Sequence, residues 1–281
     1  MSDQRNEFRN DSQSLGNFMP TASELADWLL SRGRSAVTTE QAAELLGVQR
    51  DQVRVRLHKP VADGSMFSPG RGLWIAIAPK YRTWGAPPAV EFIDTLMTHL
   101  NRAYYVGWLS AAEIHGAAHQ RPQATQIAVD RPTENRSFGR AHLRFYRQSK
   151  AAGLPRQHHN VESGQAWIST PELTAVDLVD RPELGGGVSN VATVLHELAE
   201  SVPLDPEVLA AVAAGFSTTA VRRLGFLLDL VGADVDTGPL GHRATVQPMG
   251  HPALLDPRLP RRGHVDLRWG ICVNTDVEPD L

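Results

Sequence analysis

The sequence predicts a mixed α/β protein in two parts, a small N-terminal winged helix-turn-helix and a larger C-terminal mixed α/β domain. Three observations predict it. Residues 36–59 read as helix, tight turn and helix, followed by a hairpin at 66–78. A stiff Trp84-Gly85-Ala86-Pro87-Pro88 run then separates this block from the rest. Beyond it, helical and strand periodicities alternate to the end of the 281 residues, a length that suits about two domains. The expected divisions are a disordered polar tail at 1–19, a first domain at 20–86 and a second at 87–281.

In the first domain, Leu25, Trp28 and Leu29 give the core stripe of a helix from about Ala22 to Arg32, which Gly33 ends. The next helix starts at Thr38 or Thr39, either able to cap, with Glu40 and Gln41 in the first turn. Ala42, Ala43, Leu45 and Leu46 supply its apolar face, and Gly47 stops it. The second helix of the pair offers Val53 and Leu57 to the core and should end near Lys59, because Pro60 follows. Gln49, Arg50, Gln52, Arg54, Arg56 and His58 lie mostly on its other faces. Then Met66–Ala78 reads as two strands around Ser-Pro-Gly-Arg-Gly, with Arg71 at the tip. Leu73, Ile75 and Ile77 alternate, so one strand face should be buried.

A helix with this mixture of cations and amides suits the DNA major groove, where Arg forks onto guanine and Gln onto adenine. Arg50, Gln52 and Arg54 are the base-reading candidates. Arg56, His58, Lys59 and Arg71 suit phosphates or the minor groove, and Thr39 and Gln49 stand at helix N-termini, where amides favour phosphate. Most basic faces are merely solvated, but the charge distribution sharpens the case. Net charge is −3 overall, whereas residues 49–82 hold seven Lys/Arg against two Asp/Glu. Residues 86–281 balance at −5. Positive potential is thus concentrated where phosphate contacts need it.

In the second domain a helix is expected from about Ala89 to Asn101, then the aromatic run Tyr104–Trp108 and a helix capped by Ser110 and stopped by Gly116. Strands follow at Thr125–Asp130, His142–Gln148 and Ala166–Ser169. Thr170, with Pro171 behind it, caps a helix to about Val179. Further helices run from Val188 to Ala199, from Pro206 to Ala214, and from a Thr218 or Thr219 cap to Leu230. The strict alternation of Val265, Leu267, Trp269, Ile271 and Val273 predicts one half-buried strand.

Composition excludes several classes. A single cysteine, Cys272, rules out an internal disulfide and a cysteine-cluster zinc site and fits a reducing compartment. The polar N-terminus is no signal peptide, and no stretch approaches 18 apolar residues, so a cytoplasmic protein with no membrane partner is expected. Catalytic motifs fail on inspection. His196-Glu197-Leu198-Ala199-Glu200 lacks the second histidine of a zinc helix, and Gly185–Gly187 lacks the Lys-Ser or Lys-Thr of a phosphate loop. The Ser110 segment lacks the second glycine of a nucleophile elbow. His158-His159 reads as a surface loop. No catalytic residue, metal or cofactor is therefore expected. One stretch, residues 131–150, carries six Lys/Arg against one acid, with Phe138, Phe145 and Tyr146 interleaved. Arg136, Arg140, Arg144 and Arg147 form either a second electropositive patch or the charged guard of an edge strand.

The winged helix is followed, in order, by YYVGWLSAAEIHG (104–116), ISTPELTAVDLVDRP (168–182), RRLGFLLDLVG (222–232) and RWGICVN (268–274). In these blocks the chain resembles the AbiEi family of antitoxins from abortive-infection toxin–antitoxin pairs. The resemblance implies a winged helix that binds inverted repeats in duplex DNA and represses its own operon. It also implies a C-terminal domain that counters a nucleotidyltransferase-like toxin. The alternatives are a transcription regulator whose C-terminal domain senses a small ligand, and an enzyme that modifies the toxin or a nucleic acid.

Overall fold

A computed structural model describes residues 19–117, 122–245 and 251–280. Most of the expected disordered tail, residues 1–18, lies outside the described residues. The chain divides into two compact units, one formed by the residues up to Pro88 with Phe138–Arg140, the other by the remainder.

The first unit is built from α1 (Leu25–Leu30), β1 (Ala36–Thr38), α2 (Thr39–Leu46), α3 (Val53–Arg56), α4 (His58–Ala62), β2 (Met66–Gly70) and β3 (Leu73–Ala76). Its sheet has the order β1-β3-β2, antiparallel throughout. Leu25, Leu29, Val37, Val53, Leu57 and Met66 are its buried centre. Residues Ala36–Thr38 were expected to lead into a helix; instead they pair with Leu73–Ile75 as a strand. Thr38 closes that strand and caps α2: Gln41 N–H donates to its Oγ1 (3.2 Å) and its own N–H donates to Gln41 Oε1 (2.9 Å). Gly47, at φ 63°, ends α2.

The expected single helix to Lys59 is in fact a 3₁₀ turn at Arg50–Gln52, then α3, then α4, with a break at Leu57. Pro60 does not end it but sits inside α4, in its first turn, where a missing N–H has no intrahelical acceptor to lose. β3 was expected to bury one face, yet Trp74 and Ala76 are buried as well as Leu73 and Ile75, since the strand is central in its sheet and α1 packs on it. Pro69 falls in the register shift of β2, where no ladder donor is needed.

The second unit contains β4 (Tyr104–Val106), β5 (Thr125–Val129), β6 (Arg136–Phe138, whose last residue groups with the first unit), β7 (Ala141–Arg147), β8 (Arg156–Val161) and β9 (Gly164–Ser169). These form one mixed sheet in the order β6-β7-β5-β4-β9-β8. Its helices are α5 (Ile93–His99), α6 (Trp108–Ile114), α7 (Pro171–Asp180), α8 (Val188–Ser201), α9 (Pro206–Ala213), α10 (Thr218–Leu230) and α11 (Gly238–Thr245). A small sheet of β10 (Ala253–Leu254), β11 (His264–Asp266) and β12 (Ile271–Val273) follows, in the order β10-β12-β11.

Several local expectations change. The helix expected from Ala89 is a 3₁₀ turn at Ala89–Glu91 and then α5. Gly107, not Ser110, precedes α6; Ser110 is buried and its Oγ accepts from Gln126 N–H at 2.9 Å. Ser217, one residue ahead of the expected threonines, caps α10 through Ala220 N–H. His158 and His159 are not in a loop but in β8, where His158 lies against Trp167 with centroids 3.6 Å apart. The expected strand Val265–Val273 folds back on itself: Asp266 Oδ1 accepts from Trp269 N–H (2.8 Å), Gly270 takes φ 62°, and β11 pairs antiparallel with β12. No helix among the described residues is long and apolar enough to cross a membrane. Among them, no three His, Cys, Asp or Glu residues converge as a metal site, and His196 is instead 3.4 Å from Glu200.

Candidate nucleic-acid interface

The outward surface of the first unit follows from where its core lies. Val53 and Leu57 are fully buried. At about 100° per residue, Val55 is about 200° round the helix from each, so it points directly away from the core. It is 76% exposed. Arg50, Gln52, Arg54, Arg56, His58 and Lys59 surround it, all exposed. Arg54, Arg56 and His58 make no hydrogen bond or ion pair with any described residue.

Arg50 is tied differently. Its Nε lies 2.6 Å from Glu40 Oε1, with both side chains more than half exposed. Such a pair is worth about 0.2–1 kcal/mol and is easily exchanged for another anion. Gln52 N–H donates to the Gln49 carbonyl (3.0 Å), and the Gln52 side chain accepts from Gln49 N–H (3.4 Å), so these two shape the turn into α3. Thr39 N–H donates to the Gly72 carbonyl (2.9 Å), and its Oγ1 accepts from the Trp74 indole (3.1 Å). That fastens the start of α2 to the β2–β3 hairpin and leaves the Thr39 hydroxyl proton to donate. Arg71, exposed, occupies the hairpin tip beside Gly72 at φ 84°.

The second basic stretch spans two strands: β6, which holds Arg136, is an edge of the sheet, whereas β7, which holds Arg144 and Arg147, lies between β6 and β5. The residues of β7 alternate, with Ala141, Leu143 and Phe145 buried and His142 and Arg144 exposed. Arg147, three residues beyond Arg144, lies on the opposite face. The Arg140 guanidinium sits 5.7 Å from the Trp84 ring centroid, and Arg136 is half-buried. The structure therefore does not gather these four arginines on one face.

The conspicuous sequence blocks of the second unit meet in its interior. Tyr105 Oη donates to Asp177 Oδ2 at 2.9 Å, joining the first block to the second. Burial pushes the Asp177 carboxyl up to about 8, although the Tyr105 hydrogen bond opposes this. Burial also raises the Tyr105 phenol and the Asp180 carboxyl and lowers the Arg223 guanidinium. Arg223 Nη1 donates to the Val179 carbonyl (3.2 Å) and its Nε to the Leu254 carbonyl (2.8 Å), joining the third block to the second and to β10. Asp229 accepts from the Trp269 indole (2.6 Å) and pairs with Arg268 (2.8 Å), joining the third to the fourth. These contacts join the four blocks within the second unit.

Three features escaped the sequence. Val55 has no place in the sequence reading, though its spacing from both Val53 and Leu57 marks it as outward. The Arg50–Glu40 and Tyr105–Asp177 pairs carried no local signal.

The model of the AbiEi antitoxin C-terminal domain family matches residues 105–230. No curated protein matches the chain. Among solved structures, the RV2827C protein from Mycobacterium tuberculosis has a similar fold, with a TM-score of 0.66 at 17% identity, over 90% of this chain and 91% of that one.

Proposed function

We propose, from the match of residues 105–230 to the AbiEi antitoxin C-terminal domain, that the protein is the DNA-binding antitoxin of a toxin–antitoxin pair. The first domain, 20–86, acts as a winged helix on inverted repeats in duplex DNA and represses its own operon. The second, 87–281, counters a nucleotidyltransferase-like toxin. The protein works in the cytoplasm without a cofactor and without catalysis of its own.

One observation carries the DNA-binding half of this reading: the consecutive helices α3 and α4 leave Arg54, Arg56 and His58 exposed, with no partner among the described residues. Arg50, Gln52 and Arg54 read base edges, with Arg50 exchanging Glu40 for the DNA. Arg56, His58, Lys59 and Arg71 hold phosphates or the minor groove, and Thr39 and Gln49 meet phosphate at the segment starts. Arg136, Arg140, Arg144 and Arg147 add electrostatic attraction without forming one contact face.

Two measurements test this. Three or four phosphate contacts, at a slope of about 0.9 each, lower affinity roughly a hundredfold between about 50 and 200 mM salt. Fluorescence anisotropy on a duplex from the chain's own upstream region reads this, and a flat response rejects the interface. Co-expression with the neighbouring reading frame, scored for growth, tests the antitoxin half. DNA binding without rescue would favour a ligand-sensing regulator.

A further inference from the structure

We propose that Val55 reads the C5-methyl group of a pyrimidine in the major groove, which makes thymine placement a determinant of the sequence this protein selects. The inference rests on the DNA-binding reading above and goes beyond it. The groove distinguishes thymine by one apolar feature, its methyl, and an apolar side chain is what contacts it.

The geometry singles out this residue. Val55 occupies the outermost position of α3, opposite Val53 and Leu57, and is 76% exposed. Every other outward residue from Arg50 to Lys59 is polar or charged. A β-branched residue on an exposed helical surface gains nothing from helix propensity. It covers no neighbouring core, because the unit's buried cluster lies on the other side of the helix. Arg54 and Arg56 flank it, so the groups placed to fork onto guanine or clamp phosphate would press the valine methyls against the floor of the groove. A short, stiff side chain there has one rotamer family to lose and fits a shallow apolar contact.

The same methyl is carried by 5-methylcytosine, and the test separates the two sources. Duplexes are selected from a random pool with the full-length protein. The selected duplex is then resynthesised with deoxyuridine in place of each thymidine in turn. In a third series, cytosine or 5-methylcytosine, paired with guanine, replaces the thymidine identified. At one position, removal of the methyl should weaken binding by the wild-type protein about fourfold, equivalent to roughly 0.8 kcal/mol at 1.4 kcal/mol per decade. Val55→Ala should bind both duplexes alike, with an unchanged salt slope and a thermal midpoint no lower than that of the wild type. If 5-methylcytosine restores part of the wild-type affinity that cytosine lacks, the methyl itself is read; if the two are equal, thymine is recognised by another group and the proposal fails. Wild-type binding that ignores uracil at every position overturns the role of Val55 while leaving DNA binding intact, as does Val55→Ala that keeps the preference. Absence of any selected duplex overturns the DNA-binding reading and this inference together.

Discussion

Replacing Gly225 by alanine should destabilise the second unit, although the same change in an ordinary helix would stabilise it. Gly225 lies inside α10. Alanine there gains about 0.8–1 kcal/mol of helix propensity. A Cβ at this position, however, would meet Trp269 Cη2 and Cζ3 at 2.2 Å. The indole has little room to retreat: Trp269 is 2% exposed, and its Nε1 is held by Asp229 at 2.6 Å. Its backbone N–H is held by Asp266 at 2.8 Å. Overpacking costs about 1–3 kcal/mol, and stretching a hydrogen bond to a charged carboxylate adds about 1.5–3 kcal/mol. The clash therefore outweighs propensity, and Gly225→Ala should lose about 1.5–5 kcal/mol net, at about 2–4 °C in Tm per kcal/mol. Trp269→Leu removes the obstructing ring. In that background, Gly225→Ala should change sign and stabilise by about 1 kcal/mol. Urea unfolding followed by circular dichroism reads all four proteins as a double-mutant cycle. If Gly225→Ala has the same sign in both backgrounds, the packing of the third sequence block against the fourth is not what the glycine serves.

Arg54→Ala should weaken binding to the selected duplex by about 1–3 kcal/mol and spare a scrambled one if it forks onto guanine, whereas an equal loss on both with a salt slope smaller by about 0.9 makes it a phosphate contact; anisotropy titration separates these. Thr38→Ala removes the capping hydroxyl of α2 and should cost about 0.5–2 kcal/mol in thermal or chemical unfolding. Asp177 bears on pH. Its folded carboxyl is raised from 3.8 to about 8, so the folded state holds a proton that the unfolded chain has released. Stability should then fall as pH rises through that window, by an amount on the order of 1 kcal/mol per unit, and be unaffected by this group below it. Asp177→Asn, which keeps an acceptor for Tyr105, should flatten the decline between pH 5 and 8; an unchanged slope would place the proton elsewhere.

Local chemistry carried much of this protein. The Thr38 cap, the Gly47 stop and the Thr170-Pro171 helix start are written in neighbouring residues, because caps are settled within four positions of the chain, whereas Pro69 and Gly70, which read as the turn, lie in β2 and leave the turn to Arg71 and Gly72. The mixed α/β class and the concentration of cations at 49–82 were legible too. Tertiary structure decided what depends on distant partners. Alternation at 265–273 is equally compatible with one strand and with two, and the Asp266–Trp269 turn and β12 chose two. His158-His159 became a strand because β9 supplied the ladder. The four sequence blocks proved to be interior because Tyr105 meets Asp177 72 residues away and Trp269 meets Asp229 across 40. A side chain's spacing is a local property, but its direction is settled only when the rest of the chain has taken the other side.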